Sequence, residues 1–149
     1  MRPLPASCAP MALPVAGTAV QAGFPSPADD FAVERLDLTN ILVTHPQATF
    51  LVRVRGDSMR EAGIFDGDLL VVDRAIKPAH GDVVLAVVDA EFTCKTLWLR
   101  QGRMKLVAAN PTFPEIVPKD GQSVEIWGVV TASIKRFQED RRVRTRGRK

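Results

Sequence analysis

The chain has 149 residues, 46% of them apolar and 6% aromatic, with no tyrosine. That is enough for one packed domain with tails, and no apolar run reaches the eighteen or so residues that a membrane-spanning helix needs. The net charge of +3 is unevenly spread: Lys135–Lys149 carries eight Lys/Arg against two Asp/Glu, so this end contributes +6 and the rest of the chain −3. Two cysteines, Cys8 and Cys94, are too few for a disulfide framework. They point to a reducing, cytoplasmic setting.

Residues 1–30 hold prolines at 3, 5, 10, 14, 25 and 27 and glycines at 17 and 23. Prolines lack the N–H that helices and sheets require. The segment therefore reads as a flexible arm without regular structure, too short and broken for a helix-turn-helix. Within it, Ala22-Gly23 is a small pair in an extended, proline-flanked stretch. It suits a plain linker, a scissile bond, or the end of a secretory signal with Val20 and Ala22 before the cut. Pro10, Pro14 and Gly17 interrupt the apolar stretch that a secretory signal would need.

Residues 31–137 read as a mostly β domain. Phe31–Ala48 suits a short helix or strand entering the core. Thr49–Gly56 alternates, with Phe50, Val52 and Val54 on one face. Gly67–Asp73 and Gly81–Ala90 are short apolar runs bounded by turn residues, and Glu91–Arg100 follows closely enough to pair back as a hairpin. Gly102–Asn110 pairs next, and Gln122–Phe137 supplies one or two closing strands. Trp98 and Trp127 read most simply as core. The basic residues 138–149 form a solvated tail or one that contacts a polyanion. Lacking aromatics, that tail offers nucleic acid no stacking platform.

Two positions carry potential chemistry. Ser58 lies in "RGDSMREAG", a turn that leaves one strand before another begins at "DGDLLVVD". A turn can project a hydroxyl, although local hydrogen bonding is the commoner use of such a serine. His45 and His80 adjoin loop signals, and neither has an obvious acidic partner in sequence for a Ser-His-Asp arrangement. Lys95 sits in "EFTCKTLWL", where alternation puts Thr93, Lys95, Leu97 and Leu99 on one face and Phe92, Cys94, Thr96 and Trp98 on the other. A lysine buried there would lose hydration, favour its neutral amine and suit a general base. Alternatively its stem covers apolar surface and its head reaches water at an edge.

Five blocks, "GFPSPADD" (23–30), "GDSM" (56–59), "GIFDGDLLVVD" (63–73), "HGDVVLAVVD" (80–89) and "EFTCK" (91–95), together resemble the UmuD branch of the LexA-like self-cleaving proteins. The resemblance spans roughly Gly23–Phe137. It implies a LexA-like C-terminal peptidase fold with an extended N-terminal arm, and a Ser-Lys dyad with Ser58 as nucleophile and Lys95 as general base. Ala22-Gly23 would be the self-cleavage bond, and the backbone N–H groups of Asp57 and Ser58 stand where oxyanion donors belong. No cofactor or metal is implied. The implied partners are a second copy in a homodimer, a RecA–single-stranded-DNA filament that stimulates cleavage, and a UmuC-type subunit of an error-prone translesion polymerase. DNA would be met indirectly or through the basic tail. The rival class is a non-catalytic binding module of the same fold that holds polymerase or filament. A LexA-type repressor is disfavoured because no DNA-reading domain precedes the bond. A signal-peptidase-like enzyme usually needs a membrane anchor, which the sequence lacks.

Overall fold

The computed structural model describes residues 11–16, 23 and 32–138. The described residues up to Thr44 form one compact unit, and those from His45 form a second.

In the first unit, β1 (Ala12–Ala16) pairs antiparallel with β2 (Ala32–Asp37), with Leu13 opposite Leu36. Here the structure differs from the expectation of an arm without regular structure. The strand tolerates Pro14 because each strand of a two-stranded sheet keeps one unpaired edge, where a missing N–H costs no ladder bond. Arg35 Nη2 adds a hydrogen bond to the Ala12 carbonyl at 3.0 Å. Helix α1 (Leu38–Leu42) follows, capped by the Asp37 carboxylate, which accepts the Thr39 N–H at 3.0 Å. It does not enter a core as expected, since none of its residues is buried. A helix of five residues is too short to present an apolar stripe.

The second unit is one antiparallel sheet of six strands: β3 (Thr49–Arg53), β4 (Leu69–Asp73), β5 (Val83–Val88), β6 (Glu91–Arg100), β7 (Arg103–Val107) and β8 (Val124–Ile134). Their spatial order is β3-β4-β8-β5-β6-β7. The fold is therefore mostly β, as the sequence implies. The closing segment forms a single strand, and β8 lies at the centre of the sheet rather than at an edge. It lies between β4 and β5 and pairs with both, so that one sheet holds all six strands.

That position demands close packing. A Cβ on Gly128 would come within 2.6 Å of Val72 Cγ1, so only glycine fits there without a shift of the neighbour. The register of β8 skips Thr131 against β4 and Trp127 against β5, which are β-bulges that bend and twist the strand. The two faces of the sheet bury separate clusters. One gathers Met59, Ile64, Leu70, Val72 and Leu85; the other gathers Val84, Ala86, Leu97, Leu106 and Val129. Trp127 packs at the margin of the first, edge-on to Phe50 and Phe92. Trp98 belongs to neither cluster, so its assignment to the core is corrected.

Two carboxylates pin the ends of β4. Asp68 is buried and accepts from the Lys135 ammonium and from the Phe65 N–H. Asp73, also buried, accepts from His45 Nδ1 at 2.6 Å and from the Ala75 N–H at 2.8 Å. His45 thus does have an acidic partner. It comes from a strand 28 residues away, which no local pattern reveals. Among the described residues, no helix is long and apolar enough to cross a membrane.

Candidate active site

The GDSM turn is held from several directions. Gly56 adopts φ 93°, a conformation that side-chain-bearing residues rarely take, and its N–H donates to Asp66 Oδ1 at 2.8 Å. The "FDGD" turn therefore braces the serine turn. Met59 is only 2% exposed and anchors the turn in the first core cluster. Its carbonyl accepts the N–H groups of Ala62 and Ile64. Asn110 Nδ2 donates to the Asp57 carbonyl at 3.0 Å, and the Glu61 N–H donates to the Ala109 carbonyl at 2.7 Å. Between these anchors Ser58 stays half-buried and lines a groove of about 290 Å³.

Lys95 arrives from β6. Its partner across β5 is Val84, which is fully buried, and Lys95 itself is only 7% exposed. The structure therefore selects the buried alternative over the edge-seeking one. Nζ donates to Ser58 Oγ at 2.9 Å, to Thr93 Oγ1 at 2.9 Å and to the Cys94 carbonyl at 3.1 Å. Burial pushes the ammonium below its ordinary pKa, with the neighbouring Cys94 opposing. A neutral amine has two N–H groups and one lone pair. In that neutral form Thr93 and the Cys94 carbonyl would accept the two N–H groups, and the Ser58 contact would reverse, with the hydroxyl donating to the lone pair. The arrangement can therefore remove the proton of Ser58.

The family model described as Peptidase S24-like matches residues 14–131. The chain belongs to this family. Membership supports serine-peptidase activity and bears out the UmuD-like resemblance. Among similar proteins, the S24 chain is 49% identical over 120 residues to Protein ImpA of Salmonella typhimurium, covering 80% of this chain and 81% of the relative. It is 50% identical over 113 residues to Protein SamA of Salmonella typhimurium strain LT2, covering 76% and 78%. It is 38% identical over 125 residues to the LexA repressor of Cupriavidus taiwanensis, covering 84% of this chain but 57% of that repressor.

The groove of this S24 peptidase also exposes part of Cys94, a second nucleophilic atom type beside Lys95. Burial pushes its thiol up to about 11, against the downward pull of the lysine. At neutral pH about one thiol in 10⁴ is ionised, so Cys94 does not compete as a thiolate. Neither histidine belongs to the constellation. His45 binds Asp73, and His80 Nδ1 accepts the Leu99 N–H. Among the described residues, the N–H groups of Asp57 and Ser58 donate to no protein acceptor. The same holds for the N–H of Met59, which the sequence did not single out. Of the expected cleavage bond, Ala22 lies outside the described residues and Gly23 is described by itself.

Thr93 was missed. Its only signal was its place two residues before the lysine on the same face, and a threonine in a strand is ordinary. Asn110 and Asp66 were missed because each acts through a turn whose partner is remote in sequence. Among the described residues, no group of three or more His, Cys, Asp or Glu side chains gathers that could hold a metal.

Proposed function

We propose that the chain is a self-cleaving protein of the SOS response in which Ser58 and Lys95 cut the Ala22-Gly23 bond. The observation that carries this reading is the 2.9 Å contact between Lys95 Nζ and Ser58 Oγ at a buried lysine. The neutral amine takes the hydroxyl proton as Ser58 Oγ attacks the Ala22 carbonyl carbon. The oxyanion of the tetrahedral intermediate is met by the backbone N–H groups of Asp57 and Ser58. On collapse, the Lys95 ammonium returns the proton to the departing Gly23 amine, leaving an ester on Ser58. Water then hydrolyses the ester with Lys95 again as base. Small residues on both sides of the bond let its carbonyl approach closely, and a tethered substrate needs only a modest catalyst.

In this reading the chain acts as a cytoplasmic homodimer. A RecA–single-stranded-DNA filament stimulates the cut, and the shortened chain joins a UmuC-type subunit in an error-prone translesion polymerase. The GDSM and EFTCK blocks and the S24 membership support it. Intact-mass measurement of the purified chain, before and after exposure to RecA, nucleotide and single-stranded DNA, tests it. The expected product begins at Gly23 and is absent for Ser58→Ala. A chain that binds the filament but stays whole would instead be the non-catalytic module. Equal cleavage in Ser58→Ala would assign the cut to another protease.

A further inference from the structure

The β6–β7 hairpin carries a basic face that the cleavage chemistry does not use. Its register sets Trp98 opposite Lys105 and Arg100 opposite Arg103. Residues directly opposite one another, and residues two apart, project from the same side of a sheet. All four side chains therefore share one face. Like charges opposed across a ladder repel. Yet neither Arg100 nor Arg103 has a carboxylate within 4.0 Å among the described residues. Lys105 approaches Glu115 at 3.5 Å, so one acidic group answers three cations.

His80 adds a fourth donor. Its Nδ1 accepts the Leu99 N–H at 3.0 Å, so the neutral ring carries its proton on Nε2. That Nε2 faces Arg100 Nη2 at 3.2 Å. Two donors make no hydrogen bond with each other, whereas an anionic oxygen bridging them satisfies both. The His80 ring also stands edge-on to Trp98, with centroids 6.2 Å apart, and Lys105 Nζ lies 4.6 Å from the indole centroid. Trp98, Arg100 and Gln101 border an open concavity of about 420 Å³.

We propose that this face binds single-stranded nucleic acid, with a base stacked on Trp98 and with Arg100, Arg103, Lys105 and His80 on the phosphates. The two cross-strand rows lie about 6.6–6.8 Å apart by strand rise, comparable to the spacing of successive phosphates along an extended strand. An aromatic platform among cations serves unpaired bases, whose faces are open. In a duplex those faces are stacked away. An acidic peptide would meet the charges but has no use for the indole.

The test is fluorescence anisotropy of labelled oligothymidylate against the full chain at several salt concentrations. Its variants are Trp98→Leu and the pair Arg100→Gln/Arg103→Gln, each checked for folding by circular dichroism. The basic C-terminal residues are common to all three proteins and contribute the same background. Trp98→Leu should weaken binding about fivefold or more, as loss of a stacked base does, at unchanged salt dependence. The charge pair should weaken binding and lower the log–log salt slope by about 1.4, for two phosphates at ~0.7 each. If Trp98→Leu does not fold, the charge pair decides, because both arginines are exposed. Unchanged affinity and slope in the charge pair would overturn the proposal. So would an innocuous Trp98→Leu combined with polyglutamate competing as well as oligothymidylate, which would assign the face to an acidic protein partner.

Discussion

Lys95 offers a direct test of the proposed base. Its Nζ stands 2.9 Å from Ser58 Oγ, inside the 2.6–3.2 Å range for direct proton transfer. A base so placed contributes roughly 10²- to 10⁴-fold in rate, so Lys95→Ala should lose that much. The pH dependence is more discriminating. Only the neutral amine accepts a proton, so filament-free self-cleavage should rise about tenfold per pH unit while the amine is mostly charged. Burial holds the amine below its ordinary value of 10.5, so the rise should level off below that pH. Lys95→Arg keeps the charge and much of the bulk but does not deprotonate in a useful range. It should stay uncut at every pH where circular dichroism shows the fold intact. Time courses by intact mass, from neutral to alkaline pH, measure all three proteins. A rising alkaline profile in Lys95→Arg would show that hydroxide or another group activates Ser58. A wild-type rate still climbing beyond 10.5 would refute the lowered pKa.

Three further outcomes follow from other parts of the molecule. Lys135→Ala should destabilise the fold by roughly 1–3 kcal/mol in urea titrations. That is less than the loss of a wholly buried pair, because Lys135 is 35% exposed while Asp68 is 6% exposed. Burial alone would raise the Asp68 carboxyl, but the Lys135 hydrogen bond, the Phe65 N–H and the Lys135 charge together hold it below 3.8. The wild-type advantage should therefore be complete above 3.8 and shrink as pH falls through the lower folded value. Ala90→Gly should raise stability by about 0.5–1 kcal/mol in thermal melts, because Ala90 is held at φ 67° in the β5–β6 turn; a lower melting temperature would refute strain there. Truncation after Phe137 should leave alkaline self-cleavage unchanged but weaken salt-sensitive DNA association, through loss of the basic end; association unchanged across salt would make that end a solvated tail.

Local pattern was enough for β3 to β6 but not for β1, where the prolines argue against a strand. Alternation over Thr49–Gly56 and the turn-bounded runs at 67–73 and 81–100 mark β3 to β6, because a half-buried strand must repeat every two residues. The turn residues around Asp89-Ala90 likewise announce a hairpin. The GDSM turn and the lysine on β6 were legible as types of residue at plausible places, and the five blocks together pointed to the family. Whether Lys95 was buried or reached water was not legible, because desolvation depends on which strands flank β6. Strand order decided that: β5 and β7 flank β6, and β8, inserted between β4 and β5, holds both halves in one sheet, where the serine turn meets a lysine 37 residues away. The pairing of His45 with Asp73, the bracing of Gly56 by Asp66 and the second acceptor Thr93 were decided in the same way. So was the exclusion of Trp98 from the core. Periodicity assigns a side chain to a face, but only the register and order of strands determine what covers that face, and with it a lysine's pKa or a tryptophan's partners.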